Sequence, residues 1–181
     1  MEKFMRQHAS QSIPFDIIVA SGPNAALPHA KPTSRPIGTD EPVVIDIGAR
    51  FGSYTSDLTR TLCLGEDDTF HKLYDVVRRA QLAAITGIRE NMTGADADSL
   101  ARSIIEQEGY GAAFGHGLGH GIGLETHEQP RVGLKSPDRL SNGMVFTIEP
   151  GIYLSGWGGI RIEDDVVMEN GRARVISQTA R

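Results

Sequence analysis

The stretch VVIDIGARFGSYTSDLTRTLCL, residues 43–64, holds two apolar runs, VVIDIGA (43–49) and YTSDLTRTLCL (54–64), on either side of Arg50-Phe51-Gly52-Ser53. Apolar, β-branched runs joined by a short link with glycine in it mark a β-hairpin. The same pattern returns near the other end, where MVFTIEPGIYL (144–154) and GIRIEDDVVME (159–169) flank Ser155-Gly156-Trp157-Gly158. Two such hairpins imply an antiparallel sheet. The residues between them supply its cover.

Residues 69–90 place Phe70, Leu73, Val76, Val77, Ala80, Ala84 and Ile88 at helical spacing, and Asp96 to Glu108 reads as a second helix stopped by Gly109. Ahead of the first hairpin, MEKFMRQHAS reads as the last turns of an amphipathic helix and FDIIVA as a strand stopped by Gly22. Residues 23–42 carry five prolines and must be mostly extended or turned. The order is thus a helix end, a strand and a hairpin, then two helices, a strand and a hairpin. It is one unit repeated, its first copy short of helix. An α+β fold, with helices on one face of the sheet, is the economical architecture.

At 181 residues and 39% hydrophobic, the chain suits one domain, 1–181. A formal net charge of −5 with scattered arginines argues against a nucleic-acid partner. The single cysteine, Cys63, excludes an intramolecular disulfide framework and a cysteine-rich metal site. No run approaches the roughly 18 apolar residues of a membrane span, and no signal peptide is evident. A soluble cytoplasmic protein without a membrane partner is expected.

The hairpins share an oddity. A turn centred between Phe51 and Gly52 sets Asp46 opposite Asp57, and a turn centred on Gly156 sets Glu149 opposite Glu163. Like charges facing across a ladder cost up to ~1 kcal/mol even when solvated, and apolar neighbours such as Val44, Ile45, Phe146 and Ile148 raise the penalty. Any one acid could face solvent or pair with an arginine such as Arg60 or Arg161. Two facing pairs call for more positive charge, and paired carboxylates are hard ligands for divalent cations. Four of them match two divalent ions, as in dinuclear sites whose metals, about 3.5–4 Å apart, share and activate a water.

HGLGHGIGLETHEQP, residues 116–130, adds three histidines. His116 and His120 have the spacing of two imidazoles on one helical face, but glycine at 115, 117, 119, 121 and 123 would cost a helix roughly 1 kcal/mol each. In extended chain, 116, 118 and 120 share a face, so both imidazoles can enter one cleft, with His120 the candidate nitrogen ligand. The glycines let other backbone or a substrate approach closely.

In order along the chain, DIGARFGSYTSDLTRT, HGLGHGIGLETHEQP, TIEPGIY and GIRIEDD resemble the pita-bread metallopeptidases, the superfamily of methionine aminopeptidases and Xaa-Pro peptidases. The resemblance runs from about Phe15 to the end of the chain. It implies the pita-bread (creatinase/aminopeptidase) fold: a curved antiparallel sheet, helices on its outer face, and a pseudo-twofold repeat. It implies two divalent metal ions on Asp46, Asp57, His120, Glu149 and Glu163, with Asp57 and Glu163 bridging and Glu149 also moving a proton. Manganese suits this set first, and zinc, cobalt or iron would fit. His127 and His29 fall where the family has histidines that steady the tetrahedral intermediate or lie near the substrate. His116 and Arg161 fall where Xaa-Pro peptidases meet the proline side.

The implied activity is hydrolysis of the N-terminal Xaa-Pro bond of peptides, or of Xaa-Pro dipeptides, through a metal-bridging hydroxide. The extra histidine four before His120, and GGIRIEDD, favour Xaa-Pro peptidases over methionine aminopeptidases. The latter specificity and a non-catalytic peptide-binding member are the alternatives. Family catalytic domains usually begin with two helices before the segment matching FDIIVASG. Only residues 1–11 precede Ser12, so shortened N-terminal helices are expected, in a fragment, a naturally shortened member, or a chain that completes its cover as a homodimer.

Overall fold

A computed structural model describes residues 1–180. The first half runs α1 (Glu2–Gln7), β1 (Ile18–Ser21), β2 (Pro42–Ile47), β3 (Arg50–Phe51), β4 (Tyr54–Thr55) and β5 (Leu58–Cys63). Two helices follow, α2 (Asp68–Gly87) and α3 (Gly94–Gln107), then β6 (Gly119–Gly121) and β7 (Glu128–Val132). The second hairpin comprises β8 (Val145–Ile148), β9 (Gly151–Leu154), β10 (Gly158–Arg161) and β11 (Asp164–Glu169), and β12 (Arg172–Val175) follows it. The sheets are antiparallel, ordered β1–β2–β5 and β12–β11–β8–β6–β7, with β3–β4 and β9–β10 as the far ends of the two hairpins. The α+β expectation holds.

Local chemistry starts both long helices. The Asp67 carboxylate accepts from the N–H groups of Thr69 and Phe70, and Thr93 forms a capping box with Asp96. Each apolar residue picked out by its helical spacing, from Phe70 to Ile88, is buried. With Ala97, Ala101 and Ile105 of α3 they pack against Phe146, Ile148, Ile152, Ile160 and Ile162 of the second hairpin. Each fully buried large aliphatic chain contributes roughly 1.5–3 kcal/mol. The first sheet has only a small cluster of Ile18, Ala20, Ala25, Ala30 and Val44. Its other face carries half-buried Val19, Ile45 and Ile47 and exposed Leu62, and α1 buries no residue. No helix among the described residues is long and apolar enough to cross a membrane.

The first hairpin departs from the expected register. Its turn is Gly52-Ser53, with φ of +57° and +72°, so Phe51 pairs with Tyr54 and Asp46 pairs with Thr59 rather than Asp57. A two-residue turn with both φ positive matches the right-handed twist of the flanking strands, and Gly52 can supply one such φ without strain. Asp57 is therefore displaced by two residues. Because side chains alternate along a strand, this leaves it on the same face as Asp46.

The second hairpin keeps its expected register. Gly156 occupies the turn with φ +82°, Gly151 pairs with Arg161 and Ile148 with Asp164. Glu149 and Glu163 thus fall opposite each other, in a gap where the ladder opens. Pro150 has no N–H to continue it. The Glu149 N–H donates instead to Leu118 O (2.8 Å) and the Glu163 N–H to Thr59 O (3.1 Å). Gln81 of α2, fully buried, donates Nε2–H to Ile148 O (3.3 Å) and Ile162 O (3.2 Å). The first hairpin opens at the matching place, between the β2–β5 and β3–β4 ladders, where Asp57 lies. Both hairpins therefore part at their acids.

Candidate metal centre

Strand alternation puts Glu149, Gly151 and Tyr153 on one face of the second hairpin, across from Glu163, Arg161 and Gly159. The two glycines make room: a Cβ on Gly151 would lie 2.7 Å from the Tyr153 hydroxyl, and one on Gly159 2.7 Å from the Tyr153 ring. Thr61 of β5 donates its hydroxyl to Arg161 O (2.8 Å) and accepts from the Arg161 N–H (3.0 Å). Its neighbour on that face, Thr59, reaches the Glu163 carboxylate at 2.6 Å. The two sheets meet along this seam. A cavity of about 940 Å³ opens over it, lined by every residue expected at the site, His29 included.

Asp57, His120 and Glu163 offer ligand atoms that all lie within 4.8 Å of one another. Arg161 Nη2 holds Asp46 Oδ2 at 2.7 Å, while Asp46 Oδ1 and Asp57 Oδ1 are buried without a hydrogen-bond partner. His120 Nδ1 is 3.1 Å from Gly121 O, and a carbonyl only accepts, so Nδ1 carries the proton. In the neutral ring Nε2 is then a bare acceptor. It faces Glu149 Oε1 at 3.4 Å and Asp57 Oδ2 at 3.9 Å. Acceptors converging on acceptors need a proton or a cation between them. Burial pushes the His120 ring down to about 4, so the imidazole does not carry that proton; either a buried carboxyl keeps it or a cation replaces it. A ligand imidazole is commonly fixed by such a bond from its other nitrogen. Orphaned oxygens and a bare imidazole nitrogen fit a divalent metal.

Burial, with repulsion from Asp46 and Glu149, pushes Asp57 up to about 9. Burial raises Glu149 to about 7, against the pull of Arg161, and lifts Glu163 well above the usual carboxylate range. Unfolded carboxyls lose their protons near pH ~4 and unfolded histidines near pH ~6.5, so above pH ~7.5 the histidines are neutral whether folded or not. From there to pH ~9 the folded, metal-free chain holds protons that the unfolded chain has given up, so its stability falls as pH rises. The Tm in EDTA should drop by on the order of 5 °C or more between pH ~7.5 and ~9, at ~2–4 °C per kcal/mol for a chain of this size. Added divalent metal should reverse most of the loss. A scan in which the metal-free chain gains stability with pH would contradict the buried-acid account.

The other histidines ring this centre. The His127 ring lies against that of His120, centroids 4.0 Å apart and tilted by 37°. His116 Nδ1 donates to Gly117 O (2.7 Å), so its Nε2 accepts from the Tyr153 hydroxyl (2.9 Å), which in turn accepts from Arg161 Nη1 (2.9 Å). Both His116 nitrogens are taken by protein partners, and the residue lines the cavity. The extended-run expectation holds only for Gly119–Gly121. Leu118, expected on the face of His116 and His120, turns into the helix-side core instead. The glycines do admit close backbone: a Cβ on Gly119 would lie 2.0 Å from Thr147 O, and one on Gly117 2.8 Å from Val132 O.

Two contributors carry no role in the sequence reading. Tyr153 shares the strand face of Glu149, a parity that could have flagged it. Asp165 accepts from the Asp57 N–H (3.2 Å) and is pushed up to about 7 by burial. It is the second acid of the EDD run, and nothing but the register tells which of the two faces Asp57.

Residues 1–170 match metallopeptidase family M24. The chain is 42% identical over 182 residues to the Xaa-Pro dipeptidase of Pyrococcus furiosus, a match covering 100% of this chain and 52% of that protein. It superposes on the prolidase from Pyrococcus furiosus with a TM-score of 0.97 and 42% identity, over 99% of this chain and 54% of that one. The X-prolyl aminopeptidase from Caenorhabditis elegans, described as a cytosolic enzyme with a di-nuclear active site, matches with a TM-score of 0.87 and 28% identity, over 97% and 32% of the two chains. The chain spans about half the length of the curated relatives it matches. These likenesses bear out the pita-bread fold.

Proposed function

Because the chain belongs to metallopeptidase family M24, we propose that residues 1–181 are the catalytic domain of a dinuclear-metal peptidase cleaving the N-terminal Xaa-Pro bond of peptides or Xaa-Pro dipeptides. The observation that carries this reading is the bare Nε2 of His120 aimed at Glu149 and Asp57 beside orphaned carboxylate oxygens. Asp46, Asp57, His120, Glu149 and Glu163 would hold two divalent ions, manganese first by ligand chemistry. When bound there, the ions supply Lewis acidity toward a water and the scissile carbonyl.

The chain's own groups do the rest. Glu149, a carboxylate beside the ions, is placed to take a proton from water and return it to the leaving nitrogen. His127, neutral because burial lowers it, keeps one N–H to donate to the developing oxyanion, with His29 across the cavity. His116 and Arg161, both lining the cavity, would form the wall on the proline side. The half-exposed apolar face of the first sheet suits a homodimer, and the cytosolic description of the nematode relative suits a cytoplasmic enzyme.

The test is to load the purified chain with manganese and offer Ala-Pro, Ala-Pro-Ala and Met-Ala peptides. Release of proline, or of alanine ahead of proline, is expected. Cleavage of Met-Ala alone would instead identify a methionine aminopeptidase, and bound metal with no hydrolysis a peptide-binding module.

A further inference from the structure

We propose that the buried Asp98–Arg102 pair of α3 is a positioning device for His116, and through it for the proline side of the substrate. The substrate half of this statement rests on the function proposed above; the geometric half does not. Asp98 is 0% and Arg102 6% exposed, one helical turn apart on a face otherwise formed by Ala97, Ala101 and Ile105. Arg102 Nε donates to Asp98 Oδ2 (2.6 Å) and Nη2 to Oδ1 (3.0 Å). The remaining reach of the guanidinium goes to backbone: Nη1 donates to Phe114 O (2.8 Å) and Nη2 to His116 O (2.7 Å). Asp98 Oδ1 also accepts from the Leu118 N–H (3.0 Å), and the Phe114 ring lies 4.0 Å from the guanidinium carbon. Residues 114, 116 and 118 are each tied to one ion pair.

This segment needs such a tie. Gly115 and Gly117 alternate with the tied residues, and glycine gives up more backbone freedom on folding than any other residue. Nothing lies within 4 Å of where a Gly115 Cβ would be, so packing does not hold the chain there. A buried ion pair is a poor source of stability, since well-packed apolar side chains serve a helix face equally well. What apolar side chains cannot do is hold two carbonyls and an amide in place. His116 is then fixed at both ends, its carbonyl by Arg102 and its imidazole by Gly117 O and Tyr153. His120 has anchors of its own, its N–H on Thr147 Oγ1 (3.1 Å) and Nδ1 on Gly121 O. The clamp therefore acts on the substrate side through His116 and leaves the anchors of His120 in place.

Arg102→Lys tests this, because an ammonium can stay paired with Asp98 but cannot span two carbonyls as the planar fork does. The variant should bind as much manganese as the parent and keep kcat within about threefold, while KM for Ala-Pro rises roughly tenfold or more, as expected when a substrate contact is misplaced. In a His116→Ala background the same change should leave KM where His116→Ala alone puts it, since residues acting as one unit are not additive. Independently of activity, hydrogen exchange at the Leu118 amide should quicken while the amides of β8 and β11 keep their protection. Should the parent fail to cleave Xaa-Pro substrates, the proposed function falls and the exchange measurement still decides the clamp. Loss of manganese, an equal rise of KM in the His116→Ala background, or unchanged Leu118 exchange would each overturn the proposal. Arg102→Met, read by the same exchange measurement, covers a lysine variant that does not fold.

Discussion

Asp57→Asn is expected to empty the site and stop hydrolysis together. The substitution keeps shape and removes charge, and it places an amide N–H₂ where acceptors converge. Asp57 Oδ1 is buried without a partner, Oδ2 stands 3.9 Å from His120 Nε2, and a Glu163 oxygen lies within 4.8 Å of a ligand atom of each. Bound metal should fall to background by elemental analysis, and Ala-Pro hydrolysis should fall ~10³-fold or more, the scale seen when one member of a catalytic unit is removed. The fold itself should not suffer. Asp57 is raised to about 9 by burial and by Asp46 and Glu149, so at pH 8 the metal-free variant should melt higher than the metal-free parent. That separates loss of metal from loss of structure. Full activity with bound metal in the variant would end the bridging assignment.

Arg161→Met should carry the largest stability cost. Its guanidinium is 3% exposed by residue and spends its donors on Asp46 Oδ2 (2.7 Å), the Tyr153 hydroxyl (2.9 Å), Pro28 O (3.1 Å) and Thr59 Oγ1 (3.1 Å). Methionine fills much of the volume but leaves Asp46 without its cation. Breaking a buried pair by removing one partner costs ~3–5 kcal/mol, so Tm should fall by on the order of 10 °C with manganese saturating to hold the site's charge fixed. Arg161→Lys should recover little, because one ammonium cannot reach four acceptors. A fall below about 2 °C would show that the acids do not depend on this arginine.

Much of this architecture is legible in the residues alone because burial writes periodicity into a sequence. Phe70 to Ile88 repeat at helical spacing, and the helix they form buries all of them. The second hairpin's register follows from one turn glycine, Gly156. The first does not, since its turn needs a positive φ at Ser53, a residue type that does not advertise one. The two-residue error left Asp46 and Asp57 on one face, and so the site survived it. Leu118 shows the opposite limit: glycines on both sides let the chain turn it either way, and only the core decides. Asp98 and Arg102 show a third, because an i, i+4 pair on a helix reads as a solvated surface contact until tertiary structure encloses it. Tyr153, uncharged and in a strand, announces itself only once Arg161 and His116 are known to touch it.

The seam between the sheets has one more consequence. Thr59 and Thr61 bind Glu163 and Arg161 across it, and the Asp57 N–H reaches Asp165, so neither hairpin owns the complete set of proposed ligands. An ion bound there is available only to the chain with both halves joined. By mass action, free metal at a hundredfold its Kd adds about 2.7 kcal/mol to the joined form. On the proposed metal reading, metal supply would set how long the molecule lasts as well as whether it acts: a starved cell would hold fewer intact copies, because chains that open at the seam are those that proteases reach first.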